Sequence, residues 1–243
     1  MTGLVLAAGP GRRLHPLTAA LPKTLLTLAD GRTILDLALS NLRSVGLEDV
    51  VVVTGFAAER VAERVPELER RHGVKLELVF NERAEEWNNA YSLWLAREAL
   101  TAGALLVNGD TVHPATVEET LLLARGPDVL LAVDRQKPLG EEEMKVFVGE
   151  DGTLRSISKD VDPSAAAGEY IGVALIEPAG AGPLVEALEA TWRRDPSLYY
   201  EDGFQELVDR GGQVHVAAIG AVDWVEVDDH ADLARARKLE CRF

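Results

Sequence analysis

The apolar positions change period along the chain in a regular way. Leu4–Ala7 is a short apolar run that ends on Gly9. From Thr33 to Val45 the apolar residues Ile34, Leu35, Leu37, Ala38, Leu42 and Val45 keep a helical period, and Gly46 stops it. Val50–Val53 is a continuous β-branched run, the mark of a strand covered on both faces. The pattern then predicts a helix over Ala57–Arg71, a strand over Leu76–Phe80, a helix over Ser92–Leu100, a strand over Ala104–Asn108, a helix over Thr116–Ala124 and a strand over Val129–Val133. Such alternation predicts an α/β fold with a mainly parallel sheet and right-handed crossovers.

Beyond residue ~130 the texture changes. Met144–Val148, Thr153–Ser158 and Tyr170–Ile176 read as strands, the first two separated by the turn signal Gly149-Glu150-Asp151-Gly152. A smaller antiparallel portion covering one side of the sheet is expected there. Pro183–Arg193 reads as a helix, Gln213–Ala218 and Trp224–Val227 as strands, and Asp232–Leu239 as a closing helix. There is no repeat and no low-complexity linker, so residues 1–243 are expected to form one domain.

Charge narrows the chemistry. With 40 acidic against 25 basic residues the formal charge is −15, which argues against binding nucleic acid or an anionic membrane through a general positive field. No apolar stretch approaches the ~20 residues of a membrane span. The start of the chain has arginines after its apolar run instead of before it, unlike a signal peptide. The single cysteine, Cys241, rules out an intrachain disulfide. A cytoplasmic protein is expected, and a homodimer stays open. The five histidines have no zinc-ligand spacing.

The most informative stretch is Leu6-Ala7-Ala8-Gly9-Pro10-Gly11-Arg12-Arg13-Leu14-His15-Pro16-Leu17-Thr18, directly after the first strand. Small residues at the carboxyl end of such a strand let backbone N–H groups approach phosphate oxygens, and Arg13 can bind phosphate through two parallel hydrogen bonds. Neither a dinucleotide fingerprint nor a P-loop is present: position 14 is leucine, and no G-K-[ST] follows. Two aspartates end strands and can take a hard cation, Asp110 in Asn108-Gly109-Asp110 and Asp228 after Trp224-Val225-Glu226-Val227. A turn or a helix cap is the ordinary alternative for each. Glu226 and Asp229 are weaker candidates, Asp229 as a cap for the last helix.

The pattern L-A-A-G-x-G-x-R-L-x-P-L-T, followed by Pro22-Lys23-Thr24-Leu25-Leu26, resembles the signature of the sugar-nucleotide pyrophosphorylases and their cytidylyltransferase relatives. The resemblance implies a Rossmann-like mixed sheet flanked by helices, of the nucleotide-diphospho-sugar transferase type. It implies that Leu6, Ala7, Ala8, Gly9, Gly11 and Gly109 lie around a nucleoside triphosphate. Arg13 and Lys23 would act on its phosphates, and Asp110 and Asp228 would hold magnesium. Asn88-Asn89-Ala90-Tyr91-Ser92-Leu93-Trp94 resembles the phosphocholine and aminoalkylphosphonate cytidylyltransferase branch, which favours CTP and sets Asn88, Asn89 and Ser92 near nucleotide or acceptor.

In the second half, Lys145 and Lys159 are candidates for an acceptor phosphate. Glu169, Glu201 and Asp202 are candidates for an ammonium, with Tyr200 helping through its ring face. The same carboxylates suit sugar or inositol hydroxyls, and these segments resemble inositol-phosphate and phosphocholine cytidylyltransferases alike. The expected reaction joins the nucleotide of an NTP, with CTP favoured, to a small phosphorylated or phosphonylated acceptor and releases pyrophosphate. The alternatives are a sugar-1-phosphate or inositol-phosphate acceptor with CTP, UTP or dTTP, and a catalytically silent nucleotide-sensing module.

Overall fold

The computed structural model describes residues 1–239; Cys241 lies outside the described residues. The first strand, β1, spans Thr2–Ala7, and α1 spans Ile34–Ser44. Thr33 starts α1 because its hydroxyl accepts from the Asp36 N–H at 3.2 Å while Asp36 accepts from the Thr33 N–H at 2.9 Å, a reciprocal cap. β2 spans Asp49–Thr54. The helix expected over Ala57–Arg71 is two helices, α2 (Ala58–Ala62) and α3 (Val65–His72). Pro66 lies in the first turn of α3, where its missing N–H costs nothing, and so marks a new start.

β3 follows at Lys75–Phe80. The next expected helix also divides, into α4 (Asn89–Leu95) and α5 (Arg97–Leu100), and it begins three residues early because the Asn88 side chain accepts from the Asn89 N–H and caps it. Next come β4 (Ala104–Asn108), the two-residue β5 (Thr111–Val112), α6 (Thr116–Leu123) and β6 (Val129–Asp134). The hairpin strands β7 (Lys145–Val148) and β8 (Leu154–Ser158) lead to β9 (Gly168–Ile176). Helix α7 (Pro178–Arg194) starts five residues before the expected Pro183, which lies inside it. Helix α8 (Tyr200–Asp209) was not anticipated from the sequence. β10 (Val214–Ala218), β11 (Val225–Glu226) and α9 (His230–Leu239) close the described chain.

Nine strands form one mixed sheet in the order β10-β6-β9-β4-β1-β2-β3, with β7 and β8 extending from β9. β1, β2, β3 and β4 are parallel, whereas β9 runs antiparallel to both β4 and β6. The antiparallel portion is therefore threaded through the middle of the sheet as well as flanking it. All nine residues of β9 are buried, and such a strand is stable only in a central position. Alternate residues feed two cores. Leu4 and Leu6 of β1 face α4, α7 and α8 through Leu93, Leu184 and Phe204, while Val5 and Ala7 face α1, α3 and α6 through Leu35, Leu68 and Leu121. A third cluster seats α9 against the β5–β11 ribbon through Leu233, Val112 and Val227.

β1 has β2 on one side and β4 on the other, so the carboxyl ends of β1 and β4 lie side by side, with Leu6 opposite Asn108. A crevice opens at such a switch point in an open α/β sheet. The glycine-rich stretch and Asn108-Gly109-Asp110 both leave the sheet there.

Candidate active site

A cleft of about 620 Å³ occupies this crevice, a size suited to a nucleotide with a small second molecule. One half is lined by Leu6, Ala8, Gly9, Gly11, Arg13 and Lys23, the other by Glu142, Met144, Lys159, Tyr170, Tyr199 and Glu201. Gly11 adopts φ +59°, a left-handed conformation that glycine takes without strain, and it starts a short 3₁₀ turn carrying Arg12 and Arg13. Its carbonyl is fastened by the Thr18 hydroxyl at 2.8 Å. Gly109 packs on β1: its N–H donates to the Leu6 carbonyl at 2.8 Å, and a Cβ there would lie 2.6 Å from that oxygen. This contact turns the chain so that Asp110 enters the cleft. The Val227 N–H donates to the Asp110 carbonyl at 2.9 Å, and the β5–β11 ribbon thereby sets Asp228 beside Asp110.

The charged side chains converge. The Lys23 ammonium lies 2.7 Å from Asp110 and 3.1 Å from Asp228, and Arg13 reaches the other oxygen of Asp228 at 2.7 Å. Removal from water by itself would lower the Lys23 pKa, but the charges of Asp110 and Asp228 outweigh it and hold the ammonium above its ordinary value. Burial by itself would raise Asp228, yet Lys23 and Arg13 keep it below the usual carboxylate range. Glu226 is exposed at its edge, yet local desolvation of its carboxylate, followed by repulsion from Asp110 and Asp228, raises its pKa. One oxygen from each of Asp110, Glu226 and Asp228 lies within 4.8 Å of the others. The Oδ1 of Asp110 is buried and has no hydrogen-bond partner. An orphaned carboxylate oxygen within an all-oxygen donor set fits a hard divalent cation.

The other expected site residues divide. Asn88, Asn89 and Ser92 line the cleft. Their side chains are largely engaged within the protein: Asn88 caps α4 and donates to the Ser197 carbonyl at 2.9 Å, Asn89 Oδ1 accepts from the Tyr200 N–H at 2.9 Å, and Ser92 accepts from Asn81 at 2.8 Å. These amides tie α4 to the start of α8. Lys159 lies in the acceptor half, 3.5 Å from Glu142 and 5.7 Å from the Tyr199 ring centre. Glu201 also faces that half; its Oε2 is buried without a hydrogen-bond partner, and burial pushes the group up to about 8.

Five expectations are corrected by geometry. Lys145 is 1% exposed, and its ammonium donates to the carbonyls of Gly140, Glu141 and Glu143, so it holds a loop and does not face an acceptor. Glu169 is buried and paired with Lys137 at 2.9 Å outside the cleft lining. Tyr200 is fully buried behind Tyr170, leaving no ring face for a cation. Asp202 accepts from the Tyr199 N–H at 2.7 Å and serves as a helix cap. Ala7 points into the core on the far side of the sheet. Asp229 caps α9, accepting from the N–H groups of Ala231 and Asp232. Tyr170, Gly172 and Tyr199 also line the cleft, although the sequence pattern marks none of them as a site residue. The Tyr199-Tyr200 doublet was the available signal, but the helix start at Tyr200 decides which ring faces out.

A profile of the nucleotidyl transferase family matches residues 2–128. The chain belongs to the nucleotidyl transferase family. Among curated relatives, CMP-5'-(3-aminopropyl)phosphonate synthase of Streptomyces rubellomurinus is 32% identical over 244 residues, covering 96% of this chain and 38% of that protein. The bifunctional IPC transferase and DIPP synthase of Aquifex aeolicus is 26% identical over 98% of this chain and 51% of its own length. The chain therefore spans about half or less of these two relatives. The inositol-1-phosphate CTP transferase from T. maritima shares the fold with a TM-score of 0.85 at 24% identity, covering 99% of this chain and 95% of the other. Helices cover both faces of the mixed sheet, as the family resemblance implies. Among the described residues, no helix is long and apolar enough to cross a membrane.

Proposed function

We propose that the protein is a magnesium-dependent cytoplasmic nucleotidyltransferase that uses CTP and a small phosphorylated or phosphonylated acceptor, giving a CDP- or CMP-linked product and pyrophosphate. The observation that carries this reading is the convergence of Arg13, Lys23, Asp110 and Asp228 at the end of the glycine-rich loop, in a cleft with a second, acceptor-sized half. The relative named for CMP-aminopropylphosphonate synthesis supports both cytidine and a phosphonate.

In this reading the loop around Gly9 and Gly11 and the Arg13 guanidinium bind the triphosphate, and the local cations offset the negative background of the chain. An oxygen of the acceptor attacks the α-phosphorus of CTP. The bond from that phosphorus to the bridging α–β oxygen breaks, and its electron pair leaves on pyrophosphate. No protein nucleophile is required; catalysis is positioning plus charge neutralisation. Lys23 supplies positive charge to the crowded phosphates. Asp110 and Asp228, with Glu226 beside them, would hold magnesium, which when bound neutralises phosphate charge and orients the oxygens.

In the acceptor half, Lys159 binds the phosphate or phosphonate and the free oxygen of Glu201 accepts from an ammonium, with Tyr199 and Tyr170 as walls. That free oxygen accepts equally from a hydroxyl. This favours, as a second reading, a sugar-1-phosphate or inositol-phosphate acceptor with CTP, UTP or dTTP. Pyrophosphate release, measured for each of the four NTPs against aminoalkylphosphonates, phosphocholine, inositol phosphate and sugar-1-phosphates, separates the two. CTP with an aminoalkylphosphonate is expected to be fastest. Nucleotide binding with no release for any pair would refute catalysis and favour a sensing module.

A further inference from the structure

Asn108 ends β4 at the switch point, opposite Leu6 and two residues before Asp110. It lines the cleft between the glycine-rich half and the half formed by Tyr170 and Glu201. Its carboxamide has a defined orientation. The Tyr200 hydroxyl lies 2.9 Å from Asn108 Oδ1 and 3.1 Å from the Tyr170 hydroxyl. A phenol has one proton to give, so the arrangement that satisfies all three groups is a chain: Tyr170 donates to Tyr200, and Tyr200 donates to Asn108 Oδ1. The Asn108 amide nitrogen then points away from Tyr200, over Gly172. A Cβ at residue 172 would lie 2.5 Å from that nitrogen, and Gly172 takes φ +80°, so glycine at this position opens the space the amide occupies. The nitrogen makes no hydrogen bond to the described residues, and both Asn108 and Gly172 face the cleft.

We infer that Asn108 is a ligand-contacting donor that gives an amide N–H to a phosphoryl or phosphonyl oxygen at the junction of the two halves, and that Tyr200 is the residue that positions it. This rests on the nucleotidyltransferase reading. A neutral donor suits this place, because it binds anionic oxygen beside Asp110 without drawing the aspartate away from its cations. Tyr200 acts only through Asn108: it is fully buried, and its backbone N–H is already held by Asn89. The same tyrosine therefore connects α4, α8 and the end of β4, and the orientation of one amide depends on all three.

The test is a double-mutant cycle read by calorimetric titration, with CTP and, separately, 2-aminoethylphosphonate and phosphocholine as probes. Tyr200→Phe removes one oxygen atom and keeps the ring packed against Phe204. Losing a fixed donor orientation is expected to weaken the affected probe about tenfold. Asn108→Ala is expected to weaken it at least as much, and Tyr200→Phe is expected to add nothing in the Asn108→Ala background. The probe that responds shows whether nucleotide or acceptor contributes the oxygen. Multiplicative effects in the double variant, or unchanged binding in Asn108→Ala, overturn the inference while leaving the function standing. A wild-type chain that binds none of the probes overturns the function and the inference with it. If Asn108→Ala does not fold, the near-isosteric Tyr200→Phe decides alone: unchanged affinity for every probe overturns the inference.

Discussion

Replacing Lys23 by methionine separates two roles that one ammonium holds. It lies between Asp110 and Asp228, at 2.7 and 3.1 Å, where a divalent cation would be held. The three side chains are 15%, 23% and 30% exposed, so the contacts are neither fully screened by bulk water nor fully desolvated. A net value of about 1 kcal/mol for each contact is reasonable for such partly exposed pairs. The sum of about 2 kcal/mol corresponds to roughly a 30-fold change in an equilibrium constant. A metal that binds without nucleotide must displace the ammonium, whereas Lys23→Met presents the same carboxylates with no cation to displace. The variant is therefore expected to bind Mn²⁺ roughly 30-fold more tightly than the wild type in the absence of nucleotide. Its turnover is expected to collapse, because the charge meant for the phosphates is gone. Electron paramagnetic resonance of free Mn²⁺ gives the affinity, and pyrophosphate release gives the rate. The reasoning fails if the variant binds Mn²⁺ no better than the wild type, or if it turns over normally.

Two further expectations concern the scaffold. Burial pushes Glu118 of α6 up to about 8 and His113, just before that helix, down to about 4, and the two lie 3.6 Å apart. The stabilising preference for neutral Glu118 is complete below its ordinary 4.5 and lost as pH rises through 8, while that for neutral His113 is complete above 6.5 and lost as pH falls through 4. The slopes oppose at mildly acid pH, and only that of Glu118 remains above 6.5. Glu118→Gln should therefore melt above the wild type at pH 8.5, with the difference shrinking towards pH 6; a pH-independent difference in melting temperature contradicts the assignment. At Gly109 an added methyl group would lie 2.6 Å from the Leu6 carbonyl, a backbone atom with little freedom to move. Gly109→Ala should cost about 1–3 kcal/mol of stability and displace Asp110, lowering melting temperature and turnover together; an unchanged melting curve would show that the turn yields.

The alternation of short apolar runs with amphipathic segments was enough to predict most strands and the α/β class, because burial on one or both faces leaves its period in the chain. The glycine-rich string, Asp110 and Asp228 stood out by residue type after strands and Lys23 by the family resemblance, and the fold brings them to one cleft. What the sequence could not express was how segments pack. Nothing local puts β9 between β4 and β6. The fates of Lys145, Glu169, Tyr200 and Asp202 followed from the same cause. Each has a side chain suited to a ligand, and each is satisfied by a carbonyl, a lysine, an amide or a backbone N–H brought near by the fold. Residue type determined which groups were available for the site; the tertiary structure decided which of them were already spent, because a buried polar group takes its partner from whatever the packing sets within about 3 Å.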